Sequence, residues 1–259
     1  MGKYESQEVL KWNDGEVKSI EDEVVVESSL SLTVNGRDVV TLLSSPADRK
    51  ELALGFMKTE GLIESRESVK RIELSDSRKN VEIKLQGAKE FEDYFERKRA
   101  LTSSCGRATA VLENLGSLKL DFPGPSIESL EELPSLMEDM QMRAELFQLT
   151  GGSHTAAIAN GKDLIHLAED IGRHNAVDKV IGKSLFSGED LRERIILTSG
   201  RLSSEMTLKA IRSRVPITVS RSAPTTLAVR IARAANLTMV GFTRGKRMNI
   251  YSGRDRLLG

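Results

Sequence analysis

The chain has 259 residues, 38 basic against 38 acidic, 39% of them hydrophobic, with one cysteine. That is enough for two domains or one large one, and a single cysteine excludes an internal disulfide. The neutral total conceals an asymmetry: residues 194–259 carry 13 lysines and arginines against 2 acids, leaving 25 against 36 in residues 1–193, so the C-terminal quarter expects an anionic partner.

No apolar run approaches the length of a membrane span, and the N-terminus lacks the apolar stretch of a signal peptide, so a soluble, cytoplasmic protein is expected. Met1-Gly2 with Ser6 fits only the loose acylation pattern.

In chain order, residues 1–22 are charged and read as a flexible segment. Val24 to Val34 and Val39 to Leu43 alternate around Asn35-Gly36, which predicts a hairpin with a two-residue turn. Ser45-Pro46 opens a helix holding Leu52, Leu54, Phe56 and Met57, which Gly61 ends, and Val81 to Leu85 alternates as a strand. These pieces make a small α+β domain over residues 23–100. A connecting loop over 101–126 follows, closed by Pro123-Gly124-Pro125. From Pro134, Met137, Met140, Ala144 and Phe147 keep helical spacing until Gly151-Gly152, and the methionines read as core.

Residues 127–259 have a regular rhythm. His154 to Ala159 and Leu164 to Leu167 flank Asn160-Gly161, and a helix follows from about Asn175 to Leu185. Strands are predicted at Ile195 to Thr198, Val215 to Val219 and Leu237 to Phe242, the first two followed by helices over Ser203 to Ser213 and Thr225 to Ala235; Met248 to Tyr251 is a closing strand. Opening hairpin, parallel strands joined by helices and closing hairpin predict an α/β fold of three layers.

Sheets of this kind bind ligands beyond the carboxyl ends of their parallel strands. Those ends carry Ser199-Gly200-Arg201, Ser220-Arg221-Ser222 and the run Thr243, Arg244, Gly245, Lys246, Arg247 after Phe242. Glycine admits close backbone approach, hydroxyls donate and arginine forks onto phosphate, so three such loops on one edge predict a phosphate-bearing ligand. A fourth dense stretch, Glu169 to Lys179, contains His174; Asn175 or Asp170 is expected to cap the helix that follows. His154 and His174 each read first as hydrogen-bonded structural residues.

Cys105 sits in Leu101-Thr102-Ser103-Ser104-Cys105-Gly106-Arg107-Ala108, small polar company with Arg97, Lys98, Arg99 and Arg107 nearby, which favours a thiolate over a core thiol. Zinc is not expected. Three histidines and one cysteine match no spaced motif, His154 is followed by Thr155-Ala156 where a zinc deaminase has His-x-Glu, and there is no Walker loop or dinucleotide fingerprint.

Taken in order, Leu54-Gly55-Phe56 with Glu60-Gly61, Ser103 to Gly106, Gly151 to His154, Glu169 to Lys179, Ser199 to Ser203 with Glu205, Ser220 to Thr225 and Phe242 to Arg247 resemble the FdhD family, accessory sulfurtransferases for formate dehydrogenase. The blocks span about residues 50 to 250. The resemblance implies a cytidine-deaminase-like C-terminal domain without zinc chemistry. It implies that Cys105 accepts sulfur as a persulfide from a cysteine desulfurase, and that Phe242 to Arg247 binds a molybdenum or tungsten bis(molybdopterin guanine dinucleotide) client. Family members often carry Cys-x-x-Cys here. Ala108 stands at the second position, so a two-cysteine relay is excluded for this chain.

The reading is therefore a sulfurtransferase with cysteine desulfurase and formate dehydrogenase as partners and a homodimer left open. The alternative is a cofactor-binding chaperone that transfers no sulfur. Nucleic-acid binding is the weakest reading, because only 4% of residues are aromatic and stacking platforms need them.

Overall fold

The computed structural model describes residues 2–77, 79–86, 119–121, 124–125 and 127–258. Cys105, its flanking arginines and residues 101–118 of the proposed loop lie outside the described residues.

The first strands are β1 (Tyr4–Asn13) and β2 (Glu16–Val25), an antiparallel ribbon turning at Asp14-Gly15. This corrects the expectation of a loose segment. Nearly every ribbon residue is exposed on both faces, so the burial alternation that marks a half-buried strand is missing from its sequence.

Four strands form the next sheet, in the order β4 (Arg37–Ser44), β3 (Ser28–Val34), β6 (Asn80–Leu85), β5 (Val69–Leu74). The predicted β3–β4 hairpin turns at Asn35 and Gly36, at φ 50° and 80°, the left-handed pair that a tight hairpin of this twist requires. Val24 belongs to β2 instead, and β5 was not anticipated. The helix α1 (Arg49–Thr59) covers this sheet, burying Leu52, Leu54 and Met57 against Leu30, Leu32 and Ile83.

The second sheet has six strands, in the order β12 (Arg247–Ser252), β11 (Thr238–Arg244), β10 (Ile217–Ser220), β9 (Ile195–Thr198), β7 (His154–Ala159), β8 (Leu164–Asp170). The three central strands β9, β10 and β11 are parallel, and the outer pairings are antiparallel, as the rhythm of the sequence predicts. Side chains alternate across the sheet. Ala156, Ile158 and Ile196 face α4 (Arg173–Phe186), α5 (Ser204–Arg212) and α6 (Thr226–Ala234). Ala157, Ala159 and Leu197 face α2 (Glu132–Met142) and α7 (Asp255–Leu258). The result is a mixed α/β fold with helices on both faces of this sheet.

The single helix expected from Pro134 to Thr150 is two, because the chain turns at Ala144 before α3 (Glu145–Thr150). The Glu169 carboxylate, from the end of β8, accepts the Leu146 and Phe147 N–H groups at 2.9 and 2.8 Å and so starts α3 afresh.

The two sheets are joined through α1 and α4, which pack backbone to backbone. A Cβ placed on Gly55 would lie 1.7 Å from the Asp178 carbonyl oxygen, and one on Gly182 would lie 1.9 Å from that of Glu51. Only glycine permits this approach.

Candidate functional site: the carboxyl edge of the six-stranded sheet

Because β9, β10 and β11 are parallel and in register, their carboxyl ends fall on one edge. β8 runs in the same direction as β9, since both are antiparallel to β7, so the turn into α4 and the first residue of β7, His154, arrive at that edge too. The topology therefore brings together the three predicted loops and the dense Glu169 to Lys179 stretch.

The loops are tied to one another by hydrogen bonds. Ser220 Oγ donates to the Gly200 carbonyl at 2.7 Å, and the Arg221 N–H donates to the Thr198 carbonyl at 3.1 Å. The Leu202 N–H donates to Ala223 and the Thr225 N–H returns to Leu202, which zips the loops after β9 and β10 together. Ser203 and Thr225 then cap α5 and α6, their hydroxyls accepting the Met206 and Ala228 N–H groups.

The site residues divide into two sets. Arg201, Phe242, Arg244, Gly245, Lys246 and Arg247 are exposed; Ser199, Arg221 and Ser222 are partly buried. Ser220 and Thr243 are wholly buried, and Gly200 is buried also, with any Cβ there only 2.7 Å from that of Arg173. The hydroxyl of Ser220 thus builds the edge from inside, in place of the ligand contact expected of it.

The third loop is the turn of the predicted closing hairpin, shorter than expected: β11 continues to Arg244 and turns through Gly245-Lys246 into β12. A bulge between Gly241 and Arg244 holds Phe242 at φ 53°, a left-handed conformation that is strained for an aromatic residue. Its N–H donates to the Ser222 carbonyl at 3.0 Å while the residue is 39% exposed, and Arg244 Nε donates to the Arg221 carbonyl at 3.0 Å. The edge therefore presents an exposed aromatic residue on a constrained backbone in the same turn as the exposed Arg244, Lys246 and Arg247. That arrangement suits an anion bearing a planar ring.

The histidines line the neighbouring part of the edge. His154 Nδ1 lies 3.2 Å from Ser199 Oγ, which also accepts the Thr155 N–H. Burial, followed by the nearby Arg173 charge, holds the His154 imidazole below its ordinary value. His174 is pushed down to about 4 by burial, then by Arg173 and Lys209. Its Nε2 is 3.3 Å from a Glu205 oxygen but too poorly directed for a hydrogen bond. Neutral imidazoles thus sit beside a cationic rim.

Beneath the edge lie two buried charge networks. In one, the Asp170 carboxylate accepts hydrogen bonds from the Gly172 N–H, Asn175 Nδ2 and the Ser45 N–H, and pairs with Lys179 at 2.6 Å. Asp170 and Asn175, expected as caps, are used inside this network, and Gly172 begins α4 without a side-chain cap. In the other, Lys209 donates to both Asp178 oxygens at 2.8 and 2.9 Å and to Thr59 at 2.9 Å. Burial raises the Asp178 carboxyl above its ordinary value, and Lys209 opposes that shift.

Sequence reading found Asp170, Asp178 and Lys179 only as members of a polar run. It missed Ser45, Thr59 and Lys209; only for Lys209, between Leu208 and Ala210, was there a local sign that the position faces inward.

A family model described as the FdhD/NarQ family matches residues 25–258. The chain belongs to this family. It is 36% identical over 253 residues to the sulfur carrier protein FdhD of Bacillus subtilis (strain 168), covering 97% of this chain and 96% of that one. It is 38% identical over 251 residues to the sulfur carrier protein FdhD of Bacillus pumilus (strain SAFR-032), covering 96% and 95%. Among solved structures it is similar to the "putative formate dehydrogenase accessory protein from Desulfotalea psychrophila", with a TM-score of 0.77 and 22% identity over 99% of this chain and 100% of that one. That likeness concerns the fold. The FdhD/NarQ match begins at residue 25, so it leaves almost all of the β1–β2 ribbon outside and takes in the whole carboxyl edge. Among the described residues no helix is long and apolar enough to cross a membrane, and no cluster of histidine, cysteine and carboxylate side chains could hold a metal ion.

Proposed function

We propose that this chain is a sulfur carrier for formate dehydrogenase maturation. It takes sulfane sulfur onto Cys105 from a cysteine desulfurase and delivers it to a molybdenum or tungsten bis(molybdopterin guanine dinucleotide) client held at the carboxyl edge. In the loading step the Cys105 thiolate attacks the outer sulfur of the donor's persulfide; the donor's S–S bond breaks, its cysteine leaves as thiolate, and Cys105 becomes the persulfide. No net oxidant or reductant is needed. We read the six-stranded unit as cytidine-deaminase-like and the α1-bearing unit as the smaller domain, with Cys105 on the segment between them.

The observation that carries the binding half is Phe242. Its backbone is held in a strained conformation and the residue left exposed, two positions before Arg244, which is itself tied to the Arg221 carbonyl. Strain of this kind persists where the surrounding structure over-determines it, as at ligand sites. A guanine ring can stack there while its phosphates meet Arg244, Lys246 and Arg247. The family relationship supports the sulfur half, since the relatives above are named sulfur carriers.

Intact mass after incubation with a desulfurase and cysteine tests the loading step. The expected result is one added sulfur on the wild type and none on Cys105→Ser, with equal thermal stability. A wild type that binds GDP yet never gains sulfur is a cofactor chaperone, and the transfer reading fails.

A further inference from the structure

Six described residues other than glycine hold a left-handed backbone. Four are asparagine or aspartate, which tolerate it, and the others are Phe242 and Arg214, at φ 53° and 60°. Phe242 marks the carboxyl edge of the six-stranded sheet. Arg214 lies between α5 and β10, at the opposite, amino edge. A cavity of about 290 Å³ opens there, lined by Lys58, Glu64, Leu185, Leu191, Ser213 and Arg214 among others.

Two buried polar groups of this cavity lack the partners that burial demands. Lys58, in the last turn of α1, is 7% exposed, and its ammonium donates only to the Glu64 carbonyl at 2.6 Å; among the described residues no carboxylate pairs with it. Burial holds that ammonium below its ordinary pKa, the Glu64 charge opposes the shift and Arg214 adds to it. Ser213 is 1% exposed, and its Oγ has no hydrogen-bond partner among the described residues. Lys58 is not spent on the helix ends that converge here. The Phe56, Met57 and Lys58 carbonyls at the end of α1 accept the Glu60, Leu62 and Gly61 N–H groups, and the Thr59 carbonyl accepts from Arg212. The ends of α4 and α5 close in the same way, Ser187 and Glu189 onto Lys183 and Ser184, Ser213 and Val215 onto Lys209 and Ala210. The acids of the loop before β9 are offset by their own arginines, Asp190 by Arg192 at 2.6 Å and Glu189 by Arg194. The lining therefore holds an excess of positive charge, Lys58 and Arg214 over Glu64.

From these features we infer that the amino-edge cavity is an anion site separate from the carboxyl edge, taking a small phosphate-type oxyanion. Lys58 and Arg214 pair with its charge and Ser213 Oγ donates to it. The strained Arg214 backbone is then the counterpart of Phe242, persisting because a ligand site requires it. The cavity lies below the roughly 300 to 1,000 Å³ of pockets for drug-sized ligands, which excludes a pterin dinucleotide. The oxyanion can arrive free or on a small phosphomonoester whose carbons lie along Leu185 and Leu191. This inference is independent of the sulfur-carrier reading.

Calorimetry of inorganic phosphate with the full chain tests it, in the wild type and in the triple variant Arg244→Ala, Lys246→Ala, Arg247→Ala, which lacks the basic turn of the carboxyl edge. The expected result is one site of equal affinity in both, with no binding of chloride at matched ionic strength. Lys58→Met should weaken phosphate roughly tenfold or more, as loss of a charge-assisted contact does, and Ser213→Ala about fivefold, as loss of a neutral one does. Arg214→Gly keeps the turn, since glycine takes this φ without strain, and should also weaken phosphate roughly tenfold or more. Circular dichroism identifies which variants keep the fold. Glycerol 3-phosphate tells the two sources apart: tighter binding than phosphate assigns the site to a phosphomonoester, equal or weaker binding to the free ion. Absence of phosphate binding in the wild type overturns the inference. So does its loss in the triple variant, or an affinity that the folded variants at Lys58, Ser213 and Arg214 leave unchanged.

Discussion

Lys179 and Asp170 form an ion pair from which solvent is wholly excluded: the ammonium lies 2.6 Å from Oδ2 and neither side chain is exposed. Asp170 ends β8 and Lys179 lies two turns into α4, so the pair pins the turn that carries Arg173 and His174 to the site edge. Ser45, at the end of β4, completes it by accepting from the ammonium at 2.7 Å. The ammonium is held below its ordinary pKa by burial, and Asp170 opposes that shift.

Asp170→Ala removes the counter-charge of that buried ammonium and the acceptor of the Gly172 N–H, leaving Lys179 only the Ser45 and Glu169 oxygens and Asn175 only the Leu43 carbonyl. Removing one member of a buried pair costs about 3 to 5 kcal/mol. The expected outcome in urea unfolding is a loss of that order. Asp170→Asn combined with Lys179→Met keeps a carbonyl acceptor and removes both charges, and should be more stable than Asp170→Ala. A double variant less stable than the single one would contradict this account of the network.

Gly55→Ala tests the joint between the two sheets. The added methyl would meet backbone at 1.7 Å, and backbone of α4 cannot swing aside as a side chain can. Overpacking costs typically about 1 to 3 kcal/mol and more where nothing yields. A loss at the upper end or beyond is expected in chemical denaturation, and Gly182→Ala should behave alike. A neutral result for both would mean that the helices do not cross at these glycines.

Phe242→Gly should move stability and binding in opposite directions. Glycine adopts a φ of 53° without strain, while the lost ring removes a stacking contact that contributes about 1 to 3 kcal/mol per base. Thermal unfolding should hold steady or rise while GDP affinity, read by calorimetry, falls roughly tenfold. Unchanged affinity would take the ring out of the binding site.

His174 sets an acid limb of stability. Its pKa in the fold is about 4 against an ordinary 6.5, so the fold favours the neutral imidazole. That contribution is fully present above about 6.5 and is lost as pH falls from there towards about 4, because the unfolded chain takes up the proton first. His154 and His166 are shifted the same way. His174→Gln should flatten the slope of stability across this window. An NMR titration placing His174 near its ordinary value would remove the basis for this expectation.

Sequence alone determined the elements that composition and bounding turns mark, whether they are buried on one face or on both. β7 and β9 were readable to the residue because runs such as Ile195 to Thr198 are wholly apolar or small and are bounded by turn residues. The parallel order of β9, β10 and β11 followed from strand and helix alternating, and with it the edge where Ser199, Ser220 and Phe242 converge.

Tertiary structure alone decided the rest. The ribbon was invisible because solvent on both faces imposes no period. The break at Ala144 depends on Glu169, 23 residues past Leu146, supplying the acceptor that restarts α3. Ser220 and Thr243 were expected to face a ligand, and only the packing of neighbouring strands turned them inward. Asp170 finds Ser45 across 125 positions, and Asp178 finds Thr59 across 119. A local pattern can announce that a charge is buried, but its partner is chosen by which helices pack, and here that choice rests on two glycines that let α1 and α4 touch.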